Sequence, residues 1–437
     1  MLLIPFFFAC NDPTDLGLEL EDKDKNVVVK DTTLTLPATT TFIDSLRTDQ
    51  YTTTVFGQFT DDIYGTVRAI SNNHYNAQSG PLPGGDSLTY HSASLVFRVS
   101  SSRLTGPTTG EQVLIYESPD TIFSSAIYLA NRFLEKQPAP IADVTFDFNP
   151  ETDSLITIPL GDPFGESLFA LLKKAADDDD FQDSLQLNRV IYPPLVIEPG
   201  PGNQGLYHFN LADQATGIFV NMKSAVDSMY TYHFDMSQAT RFTSVSRDRV
   251  GALLSDLNED YDETDAVTTR VYLDMMHGVY PKIDLQPLID LYESNEHFVF
   301  TDVQFSMDAG STGSIYISPV SQFRFYFIRG DSTINATSTS IAGALRSDFI
   351  NNAVLTESSY TGAAPALLNF TYSDQDLGYS GIVTLFSQIL GDSYNEETDR
   401  YLTRYLVGLS PNGISMGQTN LLKNQIKVRV FYTVFNN

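Results

Sequence analysis

The chain has 437 residues, 42% of them hydrophobic, and its 54 acidic residues against 26 Lys and Arg give a formal net charge of −28. This length exceeds what one hydrophobic core usually serves, so two or three domains are expected. The strong negative charge argues against binding to nucleic acid phosphates and against adhesion to anionic lipid through a basic patch.

The single cysteine, Cys10, ends an apolar run over residues 2–9 and is followed by polar sequence. A short apolar run, a small residue such as Ala9 and then a cysteine are typical of a bacterial lipoprotein signal, in which the cysteine thiol takes a diacylglycerol. The run is too short to span a bilayer, which needs about 20 apolar residues. We therefore predict that residues 1–9 are a signal peptide remnant and that Cys10 carries a covalent lipid, which anchors the protein.

A buried thiol in a short apolar helix is the alternative for Cys10. A signal peptide normally opens with Lys or Arg, which Met1-Leu2-Leu3 lacks, so we expect the true start to lie upstream. With the one cysteine acylated, no intramolecular disulfide is expected. Residues 10–26 are polar and acidic and are predicted to be a lipidated tether between membrane and fold.

From residue 26 onward, short runs rich in Val, Ile, Thr, Tyr and Phe alternate with a period of two, which is typical of half-buried strands. Strands are predicted at 27–36, 94–99, 113–116, 155–159, 206–211, 229–236, 269–273, 298–305, 322–328 and 425–435. In the last of these runs, Ile426, Val428 and Val430 are predicted to face a core.

Helical periodicity interrupts the strands. An apolar stripe predicts one helix over residues 121–135, and Asp162-Pro163, a cap followed by a proline in the first turn, predicts the start of another. Further helices are predicted at 247–257, 341–352 and 382–390. Because strands outnumber helices and do not alternate regularly with them, the fold is predicted to be mainly β (β-rich α+β), with antiparallel sheets in sandwich-like domains and inserted helices.

The segment rich in Pro and Gly at 198–203 is the clearest break between structural elements within the chain. It is either a domain linker or a long hairpin loop. We place a soft boundary between about 200 and 240. This gives a first β-rich domain at 27–220 and a second at 221–437.

The sequence contains no nucleophile elbow, P-loop or dinucleotide-binding fingerprint, and its six histidines form no pair at metal-ligand spacing. A carboxylate pair of a hydrolase cannot be recognised among 54 acidic residues. We therefore predict no catalytic residues, no metal site and no cofactor besides the lipid on Cys10, and we expect the protein not to be an enzyme.

One acidic stretch is a weak calcium candidate. Positions one, three, five and seven of a calcium-binding loop would be Asp256, Asn258, Asp260 and Asp262. Position six is Tyr261 rather than Gly, and position twelve is Val267 rather than Glu, so the expected turn and bidentate ligand are missing. The alternative is an exposed acidic loop.

A tripeptide of Asp, then Ser or Thr, then an aliphatic residue or Thr recurs along the chain. It looks like the O-glycosylation acceptor pattern of exported Bacteroidota proteins. The candidate acceptors are Thr32, Ser45, Ser87, Thr121, Ser154, Ser184, Ser228 and Ser332. Turn formation is the alternative, since Asp and Ser side chains bond nearby backbone amides, and some sites could do both.

Several stretches of the sequence, taken together, are moderately specific for one protein family. They are the lipobox at Cys10, residues 15–17, 44–46, 57–65, 158–160 and 203–207, and the terminal strand. Through them most of the chain resembles the Bacteroidota lipoprotein family catalogued as domain of unknown function 4270. The resemblance implies an outer-membrane, surface-exposed lipoprotein, and it supplies no catalytic residues.

These features predict a non-catalytic lipoprotein of the outer membrane that serves as an accessory subunit of a complex for barrel assembly, export or uptake. Its expected partner is a β-barrel or another outer-membrane protein, and no nucleic acid. A cell-surface module that binds glycans or peptides is the first alternative, although the absence of Trp weakens the glycan version. A hydrolase with an unidentified carboxylate pair is the second.

An accessory subunit needs exposed apolar surface. We expect it among the aromatic residues of two long loops, at 71–90 and 355–380. The alternative is that these rings close ordinary β-sheet cores.

Overall fold

The computed structural model describes residues 27–44, 47–49, 52–78, 82, 87–186, 192–265, 267–294, 298–310, 317–328, 349–353, 368–383, 386–396, 400–401, 404–409 and 415–435. Strand accounts for 53% of the structure and helix for 10%. All strand pairings are antiparallel in these ranges, so the mainly β, antiparallel fold predicted from the sequence is confirmed.

In chain order the elements are β1 (Val27–Thr35), β2 (Ala38–Phe42), β3 (Thr53–Asp61), β4 (Gly65–Asn73), β5 (Asn76–Ala77), β6 (Thr89–Arg103), β7 (Thr108–Glu117), β8 (Ala142–Phe148), β9 (Leu155–Leu160), α1 (Asp162–Asp177), α2 (Asp179–Gln186), β10 (Leu195–Pro199), β11 (Leu206–Asn210), β12 (Gly217–Lys223), β13 (Met229–Asp235), β14 (Arg241–Asp248), β15 (Glu263–Thr264), β16 (Arg270–Asp274), β17 (Val279–Asp284), α3 (Gln286–Glu293), β18 (Phe298–Gly310), β19 (Gln322–Ile328), β20 (Phe349–Ala353), β21 (Phe370–Ser373), β22 (Gly378–Val383), α4 (Phe386–Ser393), β23 (Tyr394–Asn395), β24 (Arg400–Tyr401), β25 (Tyr405–Leu409) and β26 (Gln418–Phe435).

The strands form two large sheets and a separate pair of β23 with β24. Sheet I contains the strands from β3 to β14. Sheet II contains β1, β2, β15 to β22, β25 and β26. Within the described residues each sheet has its own large buried apolar cluster, and a smaller cluster contains residues from both sheets.

Eight strands of sheet II close into a barrel. Hydrogen-bonded neighbours follow the order β26, β18, β22, β21, β19, β25, β17 and β16, and β16 returns to β26. The period-two alternation of β26 turns Ile426, Val428 and Val430 into this barrel, where all three are fully buried. Phe305 of β18 lies opposite Val428 and Val303 lies opposite Val430, so the predicted core face of the last strand is confirmed.

The first two strands of the chain belong to sheet II. β1 runs along β26, and β2 pairs with β17. The strands of sheet II therefore come from residues 27–42 and 263–435, and those of sheet I come from 53–248. This grouping places 27–42 apart from the rest of the predicted first domain, because a local sequence pattern cannot show that the two ends of a chain pair with each other.

Sheet I is organised around β6, which pairs with β9, β11 and β12. The sheet curls so that β8 lies beside β9, with a hydrogen bond from Gly161 N to Ile141 O (2.8 Å) at their ends. Helix α1 follows β9 directly, at the start predicted from the sequence, and buries Leu168, Leu172 and Ala175 against this core. Its cap is Gly161 rather than Asp162, which is the first helical residue.

The predicted helix over 121–135 is wrong, because this segment crosses the free edge of β14 instead. Ala130 O accepts a hydrogen bond from Val245 N (2.6 Å), and Tyr128 O accepts one from Thr48 N (3.0 Å). Tyr128 also stacks on Phe242, with ring centroids 4.4 Å apart. Backbone carbonyls that would accept hydrogen bonds within a helix thus accept them from other segments, and the chain covers a sheet edge.

Two other helix predictions fail in part or in full. Residues 247–257 form the end of β14 and a series of turns, with Gly251 at a φ of +80°. The prediction at 382–390 is partly correct, since β22 ends at Val383 and α4 starts at Phe386. Residues 341–348 lie outside the described ranges, and the next five residues form β20 rather than helix. Among the described helices, none has the length and apolar character needed to cross a membrane.

Candidate functional site

A groove of about 810 Å³ lies on sheet II beside β26. It opens where the neighbour of β26 changes from β16 to β1. β16 pairs with β26 as far as Leu422, and β1 pairs with it from Lys427 onward. Residues 423–426 lie between these two ladders, and their backbone is bonded at both ends of this stretch: Lys423 N donates to Thr269 O (3.0 Å), and Ile426 O accepts from Leu36 N (2.9 Å). Leu422, Lys423 and Asn424 of β26 line the groove on this side.

The same stretch of β26 also bulges away from β18 on its other side. Met307 lies opposite Ile426 and Ala309 lies opposite Leu421, so residues 422–425 stand against Asp308 alone. Such a bulge removes ladder partners and redirects side chains. Residues 424 and 425 are consequently the part of this stretch that lies outside the strand ladders of the described residues, between the bonded Lys423 and Ile426.

The walls of the groove are short strand ends rich in hydroxyl groups. One wall is the connection from β1 to β2 at 35–39, and the other consists of Asp265 and residues 268–270. Threonine side chains stand on both walls, and the described lining includes no aromatic ring. The arrangement offers hydrogen-bond donors and acceptors along an extended path.

Positive charge gathers at this groove. Lys423 forms an ion pair with Asp265 across it. The exposed guanidinium of Arg270 has no ion-pair partner among the described residues. Two cations, Lys423 and Arg270, line the groove with one carboxylate, Asp265, which contrasts with the net charge of −28 of the whole chain, so the groove favours a negatively charged ligand.

A second cluster of charged residues is buried where the two sheets meet. Arg103, at the end of β6, donates to both carboxylate oxygens of Asp274, at the end of β16, over 2.7 and 3.1 Å. Asp274 also accepts from Gln418 Nε2 and lies 2.8 Å from His277 Nδ1. Arg103 Nε also donates a hydrogen bond to Met416 O (2.8 Å). We call Arg103, Asp274, His277 and Gln418 the junction cluster.

The charge states in the junction cluster follow from this geometry. Burial by itself would raise the pKa of Asp274, but the Arg103 guanidinium and the hydrogen bonds from Arg103 and His277 hold it well below its usual value. Burial lowers the pKa of His277, which favours the neutral imidazole. Asp274 is thus a permanently charged partner of Arg103, and the cluster joins the sheets rather than exchanging protons with solvent.

Two further arginines extend this contact. Arg247 pairs with Asp44 and donates to Met276 O (2.9 Å). Arg249 donates to Leu257 O (2.7 Å), and its guanidinium carbon lies 4.0 Å from the centre of the Phe42 ring. Both side chains therefore connect β14 and the following turns of sheet I with strands of sheet II. We assign this region a structural role.

Sequence reasoning missed both the groove and the junction cluster. Arg103 and Asp274 lie 171 positions apart, so no local motif joins them. The spacing of Asp274 and His277, three residues apart in a tight turn, was the one local signal available. Metal-ligand spacing between histidines does not reveal this contact, because the partner of His277 is a carboxylate.

The aromatic rings expected to be exposed in the loops at 71–90 and 355–380 are mostly buried. Tyr75, Phe370 and Tyr379 are buried, while Tyr90 and Tyr372 are half-buried; Tyr360 lies outside the described residues. The prediction of exposed rings is wrong for the buried three, which close β-sheet cores as the alternative held.

The candidate glycosylation sites can be placed in part. Ser87, Thr121, Ser154 and Ser228 are exposed and Thr32 is half-buried. Ser154 immediately precedes β9 and Ser228 immediately precedes β13. Ser45 and Ser332 lie outside the described residues, and Ser184 lies in α2. Exposure before a strand suits both a modified hydroxyl and a turn residue, so glycosylation stays a prediction.

The weak calcium candidate lies in an exposed loop before β15. Tyr261 takes a φ of +75°, so the left-handed turn that glycine makes in a calcium loop is present without a glycine. The Asp262 carboxylate, however, accepts from Asn258 N and Glu259 N, both at 2.7 Å. Asp260 accepts from Asp44 N (2.5 Å), and Asp256 is exposed.

Among the described residues, no three His, Cys, Asp or Glu side chains are grouped so that they could hold a metal ion. This bears on the candidate set of Asp256, Asn258, Asp260 and Asp262, which the fold does not gather into a shell of free oxygens. Calcium binding there stays a weak prediction. Cys10, the predicted lipidation site, lies outside the described residues, as does the tether.

A comparison with protein-family models finds no match, and a comparison with curated proteins finds none either. The resemblance to the Bacteroidota lipoprotein family therefore stays a prediction that rests on the sequence stretches themselves.

Proposed function

We propose that this protein is a non-catalytic lipoprotein, held in the outer membrane by a lipid on Cys10, that acts at the cell surface as an accessory subunit of an outer-membrane protein complex. Its partner in this proposal is a β-barrel or another protein of that membrane. The lipobox and the resemblance described above support the location. The exposed face beside the tether supports the role.

That face carries the proposal. Val29 of β1 and Val299 of β18 both lie opposite Thr433 of β26, so the three side chains form a row across three strands. Val29 is 68% exposed and Val299 46% exposed. Phe431, two residues from Thr433 on the same face, is half-buried. We call Val29, Val299, Phe431 and Thr433 the outer strip.

The outer strip lies where the chain enters the fold. β1 begins at Val27, and residues 11–26 separate it from Cys10. At full extension these residues reach at most about 55 Å. An anchor on Cys10 would therefore keep the outer strip close to the membrane surface. Exposed apolar side chains beside an anchor fit contact with a membrane-embedded partner.

Charge change on the outer strip tests the proposal. The tagged full chain is purified from detergent-solubilised membranes, and stoichiometric partners are identified by mass spectrometry. We expect a β-barrel protein to co-purify with the wild type and to be lost with Val29→Glu/Val299→Glu. Val226→Glu is the matched control, because Val226 is an 81% exposed valine in the turn between β12 and β13. Retention of the same partner by the double variant would contradict the proposal.

The anchor has its own test. Cys10→Ser should leave the protein soluble or unprocessed when cells are fractionated, since a serine cannot take the diacylglycerol. Membrane retention equal to that of the wild type would show that something other than the lipid holds the protein there.

A binding module for glycans or peptides at the cell surface is the second candidate, and the groove on sheet II is the observation that favours it. The two roles differ in what binds to the protein: a soluble ligand for a binding module, and a stoichiometric membrane protein for a subunit. A soluble ligand that binds the purified chain, with no stoichiometric membrane partner, would favour the second candidate.

A further inference from the structure

We propose that the groove on sheet II seats a segment of this same chain, residues 15–21, and that this contact sets how far the fold stands from Cys10. The second half of the statement rests on the proposed function, because it needs the lipid anchor. The contact between segment and groove does not need it.

The segment has a two-sided sequence. Residues 15–21 lie outside the described ranges, and in their sequence every even position is a leucine, while Asp15, Glu19 and Glu21 hold three of the odd positions. A period of two places the leucines on one side of an extended chain and the carboxylates on the other. Such a segment suits a surface that offers apolar contact and positive charge side by side.

The groove offers both kinds of contact. In its lining Leu422 is half-buried and Pro37 is exposed, which gives apolar surface. Arg270 and Lys423 give positive charge, and Asp265 balances Lys423. Arg270 is exposed and has no ion-pair partner within the described ranges, so it is the cation that remains for a carboxylate of the segment.

These contacts involve side chains only. The backbone on the groove side of β26 is already bonded, from Lys423 N to Thr269 O and from Leu36 N to Ile426 O. The segment adds no strand to this ladder and leaves these hydrogen bonds in place. Its stabilisation comes from the burial of leucine side chains and from the ion pair with Arg270.

The chain is long enough to make the contact. β1 runs from Val27 to Thr35, where the groove begins, and its eight residue steps span roughly 26 Å. Glu21 lies six residues before Val27 and Asp15 twelve, so full extension carries them about 20 Å and about 40 Å from it. The distance to the groove falls between these limits. Residues 22–26, which are all polar or charged, are left to reverse the chain.

Covalent attachment favours this occupant over a separate molecule. A segment joined through a short linker has an effective concentration on the order of millimolar, so weak contacts suffice to seat it. With residues 15–21 in the groove, only residues 11–14 separate the segment from Cys10, and they reach at most about 14 Å. The contact therefore draws the fold toward the anchor, and its release lengthens the tether.

The experiment measures where the segment lies. Cys10→Ser removes the one cysteine of the chain, so spin labels can be placed at Thr14→Cys and Thr33→Cys. Thr33 is an exposed residue of β1 two positions before the groove. Double electron–electron resonance on this full chain in detergent should give one narrow distance distribution. Arg270→Glu should broaden it, since a roughly tenfold weaker contact releases a large fraction of the segments.

Two variants show whether charge at the groove is responsible. Arg132→Glu makes the same charge change at an exposed arginine on the segment that covers β14, and it should leave the distribution narrow. Adding Glu19→Arg to Arg270→Glu reverses both charges and should restore the narrow distribution. Leu18→Asp alters the segment and leaves the described fold unchanged, so it should broaden the distribution even if Arg270→Glu disturbs the barrel, which circular dichroism detects.

A broad distribution in the labelled protein without further changes would overturn the inference. So would a distribution that neither Arg270→Glu nor Leu18→Asp alters. Both results leave the proposed function untouched, because membrane retention and co-purification depend on Cys10 and the outer strip. Conversely, a narrow distribution together with full membrane retention of Cys10→Ser would count against the anchor and in favour of the contact.

Discussion

Arg103 of sheet I and Asp274 of sheet II form a fully buried ion pair through two hydrogen bonds, and this pair is the polar centre of the contact between the sheets. Around it lie apolar residues from both sheets, including Phe59 and Val67 of sheet I and Met276 and Met416 from the sheet II side. A buried charge that loses its partner is costly, so the two sheets depend on both residues being present.

Removal of one partner should therefore destabilise the protein strongly. We expect Arg103→Met to lower the free energy of unfolding by about 3–5 kcal/mol, because it leaves the Asp274 carboxylate buried and uncompensated. The double variant Arg103→Met/Asp274→Asn should lose less than the sum of the two single losses. Urea unfolding followed by circular dichroism measures all three.

The exposed pair of Arg429 and Asp31 is the matched control. Arg429→Met should lower the free energy of unfolding by less than about 1 kcal/mol. Equal losses for Arg103→Met and Arg429→Met would show that the junction cluster does not join the sheets.

Stability should fall as the pH drops from about 6.5 to 4. Burial lowers the pKa of His208 to about 4 from its ordinary value of 6.5. The unfolded chain then binds more protons than the folded one between these values, so the stability is complete above 6.5 and decreases below it. Burial also lowers the pKa of His74 and His277, which acts in the same direction.

Urea unfolding between pH 7.5 and 4 measures this dependence. His208→Gln should reduce the slope below pH 6.5, whereas His91→Gln, at an exposed histidine, should leave it unchanged. Asp274 contributes only at the acid end of this range, below about pH 5, where its carboxylate in the unfolded chain begins to take up a proton while the folded one does not. A slope that is the same in wild type and His208→Gln would contradict the assignment.

Gly57 should not tolerate a side chain. Its φ is +125°, and a Cβ atom there would lie 2.0 Å from the backbone oxygen of Gly205. Gly57→Ala should cost more than about 1 kcal/mol, because both the conformation and the contact are incompatible with alanine. Gly106→Ala is the control, since nothing lies within 4 Å of its Cβ position. Thermal unfolding compares them, and equal melting temperatures would refute the expectation.

Calcium should not stabilise the protein. Among the described residues no three His, Cys, Asp or Glu side chains are grouped to hold a metal, and Oδ2 of Asp262 is already bonded to the amides of Asn258 and Glu259. We expect the melting temperature to be the same in millimolar calcium and in chelator. A rise of several degrees in calcium that Asp262→Asn abolishes would establish the candidate loop as a site.

Local patterns predicted the elements whose structure depends on near neighbours in the chain. The alternation in β26 predicted which of its side chains are buried, and Asp162-Pro163 located the start of α1 to within a residue. The same reasoning failed at 121–135, where the helical stripe is present but the backbone bonds to Val245 and Thr48 instead. Tertiary hydrogen bonds outweighed a helix propensity that is small per residue.

By itself the sequence determined that the chain is built mainly of antiparallel strands, because the period of two and the turn residues act over a few positions. Only the tertiary structure decided that β1 lies beside β26, that Arg103 meets Asp274, and that residues 422–424 line a groove where the neighbour of β26 changes from β16 to β1. Each of these depends on which distant strands pair. Strand pairing is selected by the burial of whole sheet faces, so it cannot be predicted from any single segment of the sequence.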